Sequence, residues 1–182
     1  MQWIIPGTTL TASHEDADRT EERFAALFLA GGLTLSQVAS VTGLEPYTVQ
    51  NWVKRGFLPS PVNKRYNMEQ LCRLINMNIL KGTMPLDQIV KLMSYLNGNL
   101  ADESDDLVDD TMLFFLFVRL SARARYIGGG KSWDEALAEV TADYAEPVPG
   151  AREKLVKVLK VMLTVWCANS LKAEAERMLA EL

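Results

Sequence analysis

The run Met112-Leu113-Phe114-Phe115-Leu116-Phe117-Val118 constrains the fold more than any other stretch of this chain. It lies within residues 107–126, a segment that is apolar on almost every face when read as a helix. A helix apolar all round cannot be a surface helix, so neighbouring elements or a second subunit must cover it. Its seven residues end at Arg119, far short of the ~18 or more needed for a membrane span. At 182 residues the chain can supply that cover itself, with no need of staples.

Glycine and proline divide the rest. Residues 1–32 read as an N-terminal segment with one helix over 15–30, capped by Ser13, acidic in its first turns and ended by Gly31-Gly32. Residues 33–98 open with two short helices, 35–42 capped by Thr34 and 46–55 begun by Pro46, with Gly43 between them. The stretch 57–66 holds two prolines and a basic tip, and reads as an extended wing with at most a short hairpin. A helix over 68–80 capped by Asn67 follows, then one over 85–96 ended by Asn97-Gly98. Residues 99–182 read as a C-terminal helical region. It comprises an acidic linker (101–110), the apolar helix, a break at Gly128-Gly129-Gly130, a short helix from Ser132 to about 145, and a last helix of about thirty residues. The expected fold class is all-α.

The helix 46–55 carries the functional reading. Val49, Trp52 and Val53 fall on one arc and face the core. Tyr47, Gln50, Asn51 and Lys54 lie opposite, with Thr48 and Arg55 at the edge. This outer face has no carboxylate, whereas a solvated helix face ordinarily mixes both signs of charge. Amides pair bidentately with adenine, and lysine with guanine or phosphate, so the face has the chemistry of a major-groove helix. The wing tip adds Lys64 and Arg65 for backbone phosphates, and Tyr66 either to bond a phosphate or to pack beneath the wing. Arg73, Lys81 and Lys91 read as plain solubilising charges.

Charge is distributed accordingly. The total is −4, but residues 1–32 carry −3, residues 33–98 carry +4 and residues 99–182 carry −5. Salt screens anything beyond roughly 8–10 Å, so local charge decides phosphate binding. The acidic flanks would suppress indiscriminate contact with polyanions.

The pattern Thr34-Leu35, Gln37-Val38-Ala39, Gly43-Leu44, Thr48-Val49, Trp52 and Gly56-Phe57-Leu58-Pro59 resembles the DNA-binding region of MerR-type regulators. Lys64-Arg65-Tyr66-Asn67-Met68 and Leu71 resemble that family's wing and third helix, and Pro85-Leu86 with Ile89 the opening of its fourth. The run from Asn51 to Tyr66 is more closely similar to a family of uncharacterised bacterial proteins with a MerR-like winged helix-turn-helix domain. The resemblance implies double-stranded DNA as partner, helix 46–55 as the recognition helix and 57–66 as the wing. Gln50 stands where MerR-type helices usually carry arginine, and Asn97-Gly98 interrupts the coiled coil through which those regulators dimerise.

Other chemistries fare worse. Gly130-Lys131-Ser132 imitates a phosphate-binding loop, but position 125 is Arg125 rather than glycine. His14 is the only histidine, and the acidic cluster from Asp102 to Asp110 lacks the glycine of a calcium loop. Cys72 and Cys167 sit far apart in apolar helical patterns and read as buried thiols. No nucleophile occupies a recognisable elbow. No cofactor or metal site and no enzyme activity are expected. The first residues lack the basic start of a signal peptide, which favours a cytoplasmic location.

The last helix carries Leu155, Leu159, Met162 and Trp166 at 4-3-4 spacing, then loses that register before Leu171, Met178 and Leu182. A wide stripe of this kind suits a small bundle. The expected function is sequence-specific binding of double-stranded DNA by a transcription regulator that forms a homodimer through its C-terminal helices. A protein-interaction module that keeps the fold without touching DNA is the alternative. A small-molecule effector acting through the C-terminal bundle is a third reading.

Overall fold

The computed structural model describes residues 2–98, 106–124 and 132–182. Strands β1 (Gln2–Ile4) and β2 (Thr11–Ser13) open the chain as an antiparallel hairpin, with Trp3 opposite Ala12. The sequence reading took in no strand here, because three-residue strands are too short to show a period of two. The expected helix over 15–30 is also shorter and split. Ser13 makes no side-chain capping bond, His14–Arg19 wind as a 3-10 helix, and α1 (Thr20–Leu27) ends before Gly31 and Gly32, both at positive φ.

Local signals set the next elements well. In α2 (Leu35–Thr42), Thr34 and Gln37 form a reciprocal capping box, and Gly43 closes the helix in the left-handed conformation at φ 68°. Helix α3 (Pro46–Lys54) begins with proline at its first turn and leaves Arg55 as its C-cap. Asn67 and Gln70 form a second capping box at the start of α4 (Met68–Lys81), and α5 (Leu86–Asn97) follows Pro85.

The apolar run lies in α6 (Asp110–Ala124), where every residue from Leu113 to Val118 is buried. Helix α4 covers it most extensively; α1, the 3-10 turn, α7 (Trp133–Val140) and α8 (Ala151–Ala180) close the remaining sides. Phe24 of α1 meets Phe114 and Phe115 at ring-centroid distances of 5.2 and 5.6 Å, and Phe117 meets Trp166 of α8 edge-on at 6.4 Å. Each such side chain contributes roughly 1.5–3 kcal/mol on burial, so α6 is the mast around which the helices pack. One apolar cluster runs from Trp3 to Leu163 through all three stretches of the sequence reading, which therefore share a core. The glycine break at 128–130 and residues 101–105 of the acidic linker lie outside the described residues. The short helix α7 ends at Val140, not near 145.

Among the described residues, no helix is long and apolar enough to cross a membrane. Among them, too, no group of three or more His, Cys, Asp or Glu side chains is placed to hold a metal ion.

Candidate nucleic-acid interface

Helix α3 turns Val49 and Trp52 fully inward and Val53 partly so. Its opposite side is open. Tyr47 is 74% exposed, Gln50, Lys54 and Arg55 are exposed, and Thr48 and Asn51 are half-buried along the edges. From Pro46 to Met68 the chain has no acidic residue and four cations: Lys54, Arg55, Lys64 and Arg65. The nearest carboxylate in sequence is Glu45, exposed at the N-cap of α3.

Three devices hold the turn between α2 and α3. The amide and hydroxyl of Thr9, in the N-terminal hairpin loop, donate to Val41 O at 2.8 Å and Ser40 O at 2.6 Å. Asn78 of α4 donates through Nδ2 to Thr42 O at 2.9 Å and to Gly7 O at 3.0 Å. These bonds satisfy carbonyls that the end of α2 would otherwise leave bare. Leu44 then drops into the core and starts the chain into α3.

Residues 57–66, the stretch read as a wing, run without a helix and carry a minimal hairpin near their end. Val62 and Arg65 bridge antiparallel, with Arg65 N–H donating to Val62 O at 2.9 Å. Between them Asn63 and Lys64 both take positive φ, 50° and 62°, as a two-residue hairpin turn of the primed type requires. Asparagine tolerates that conformation; lysine is strained there. The base of the hairpin is tied to the residue before α2 by Leu33 N–H to Tyr66 O at 2.9 Å and Tyr66 N–H to Leu33 O at 2.8 Å.

The structure separates the wing residues. Lys64 and Arg65 are exposed, and Arg65 donates one Nη1 bond to Gly32 O at 2.9 Å. A guanidinium has five donors, so the rest of the fork remains available. Tyr66 is only 3% exposed, and burial pushes its hydroxyl pKa above the ordinary value. Of its two expected placements it takes the one beneath the wing, as core. Arg55 stacks over Phe57, 4.7 Å from the ring centroid.

Gln70, which carries no signal in the sequence, and Arg73, which reads there as a solubilising charge, fix residues 57–60 to α4. Gln70 donates Nε2 to Pro59 O and Ser60 O, both at 3.1 Å. Arg73, one turn further on, donates Nε to Phe57 O at 2.8 Å and ion-pairs through Nη1 with Asp110 at 2.9 Å. Arg73 is thus no solubilising charge, and Asp110 is no linker residue: both are buried. Lys81 and Lys91 are exposed, as solubilising charges are. Asn76 completes the cluster by donating Nδ2 to the Asp110 backbone carbonyl at 3.0 Å and its carboxylate at 3.3 Å. Burial drives the Asp110 carboxyl pKa upward, while Arg73 and Asn76 pull it back. No local signal marks this cluster, because its partners lie 34 and 37 residues apart. Of the cysteines, Cys72 is buried and Cys167 half-buried; both are free thiols, and burial raises the pKa of each.

The arrangement defines a helical protein that presents an open polar helix and a basic hairpin on one rigid support. Residues 32–113 match the family described as a domain of unknown function (DUF1836). The matched stretch runs past α5 into α6 and so includes Asp110 as well as its partner Arg73. No curated protein and no solved structure matches the chain.

Proposed function

We propose that this chain is a MerR-like winged helix-turn-helix protein that binds double-stranded DNA sequence-specifically and acts as a dimeric transcription regulator. Helix α3 enters the major groove with Tyr47, Gln50, Asn51 and Lys54 towards base edges, and Thr48 and Arg55 at the margins. Lys64 and Arg65 hold the phosphate backbone. The observation that carries this reading is the outer face of α3, which the rest of the chain leaves uncovered and which bears amides and a cation without a carboxylate. A packing helix would have been covered, and a merely solvated one would ordinarily mix charges.

Lys64 supports the same reading. A cation held at φ 62° occupies a site where glycine would sit without strain, which is understandable if the charge itself is needed at the tip.

Selection of bound duplexes from a random oligonucleotide pool tests the proposal. A conserved site of a few base pairs should emerge, and Asn51→Ala or Gln50→Ala should relax preference at individual positions by about 1–3 kcal/mol each. An unenriched pool would favour the alternative, a protein-interaction module built on the same fold.

A further inference from the structure

Helix α8 has two apolar stripes, and only one of them is used. Leu155, Val158, Leu159, Met162 and Leu163 face the core. A second series, Val161, Thr164, Ala168, Leu171, Ala175 and Met178, alternates steps of three and four and is continued by Leu182 just past the helix end; every member is exposed. From Ser170 onward no residue of α8 is covered at all. Such a step pattern is the seam of a two-helix pairing.

We propose that this seam pairs antiparallel with the same seam of a second copy of the chain, about a two-fold axis near Asn169-Ser170. This specifies the dimer invoked above and does not depend on what α3 contacts. Val161 then faces Met178 of the second copy, Thr164 faces its Ala175, and Ala168 faces its Leu171. The pairing is self-complementary, as a two-fold interface must be.

Charge selects the antiparallel direction. Within the paired stretch 157–182, the first half carries Lys157 and Lys160 and no carboxylate, whereas the second half carries Glu174, Glu176 and Glu181 against Lys172 and Arg177. A parallel pair would set the basic halves side by side; the antiparallel pair sets basic beside acidic. Lys160, which meets Asp134 at 2.8 Å in its own chain, gains Glu181 of the second copy on the other flank.

A groove lies where that pairing needs one. Met84, Leu92, Tyr95 and Val161 line an apolar trough of about 390 Å³ between α5 and α8, with Lys91 and Lys157 also lining it. In this register Leu179 and Leu182 of the second copy fall onto it. These leucines are 69% and 103% exposed in the single chain and have nothing else to cover them.

Sedimentation velocity on the full chain tests the proposal. The wild type should be dimeric at about 100 μM, where even weak self-association registers. Leu171→Glu with Met178→Glu should leave a monomer of unchanged helicity, because these side chains are exposed in the single chain. Glu181→Lys and Lys160→Glu should each weaken the dimer at least about tenfold, and the double variant should recover it. A monomeric wild type, a dimer indifferent to the Leu171/Met178 change, or a double variant weaker than either single would overturn the pairing. A monomer that still binds duplex DNA would sink the pairing alone; a dimer that ignores duplex DNA would sink only the reading of α3.

Discussion

Arg73 of α4 and Asp110 at the start of α6 lie 2.9 Å apart, both nearly closed to solvent, and the same Arg73 holds the carbonyl of Phe57 at the base of the wing. One guanidinium therefore couples the central apolar helix to the surface that we assign to DNA. Through it, the core sets the position of the wing.

Breaking this pair should be severe. Arg73→Met leaves a buried carboxylate without its cation, a change that destabilises by about 3–5 kcal/mol. The deficit should also depend on pH. The Asp110 pKa is already raised by burial, and losing Arg73 raises it further. A group whose folded pKa lies above its unfolded value loses stability as pH rises through the folded one. Denaturant titrations should thus show a small deficit near about pH 4 and a larger one at neutrality. Adding Asp110→Leu should recover much of the loss; a double variant as unstable as the single would contradict the coupling.

Lys64→Gly should separate stability from binding. Relief of the positive φ should stabilise the fold by up to about 1 kcal/mol. Affinity for every duplex should nevertheless fall, since a phosphate contact is lost whatever the sequence. Thermal denaturation and electrophoretic mobility shifts, run side by side, read the two effects. A stabilised variant that binds as well as the wild type would remove Lys64 from the interface.

The N-terminal hairpin should prove integral to the helix pair. Gly7 sits at φ 70°, and a Cβ there would come within 2.8 Å of Ile75 and Ile79. Gly7→Ala should therefore destabilise by about 2 kcal/mol or more. Amide exchange should accelerate first around Ser40 to Leu44, where the hairpin loop and Asn78 hold the carbonyls of Ser40, Val41 and Thr42. Protection unchanged there would mean that the hairpin is a passive cover.

The sequence made the local features of this fold legible and hid the distant ones. Thr34, Gly43, Pro46, Asn67 and Ser132 act on their own neighbours within a turn, so the ends of α2, α3 and α4 and the start of α7 could be placed near their observed positions. Val49 and Trp52 declared the inner side of α3 by spacing alone. The buried Arg73–Asp110 pair joins residues 37 apart, and each partner looks like an ordinary surface charge among its neighbours. Gln70 was equally silent, since its capping bond is local but its hold on Pro59 and Ser60 depends on where the wing folds back. Tyr66 was ambiguous because a tyrosine between a basic tip and a helix cap suits either the core or a phosphate. On α8, the two stripes overlap in sequence and blur each other's period; only knowing which side α4 and α6 occupy resolves them.

The salt dependence of duplex binding tests the assignment of α3 and the wing most directly. Titrating a labelled random-sequence duplex from about 50 to 200 mM salt should give binding that weakens steeply, with each phosphate contact adding about 0.9 to the slope of log affinity against log salt. Lys64→Ala with Arg65→Ala should flatten that slope by about two contacts, whereas Asn51→Ala should leave it unchanged. No binding at the lowest salt, or a slope indifferent to the wing cations, would contradict the account.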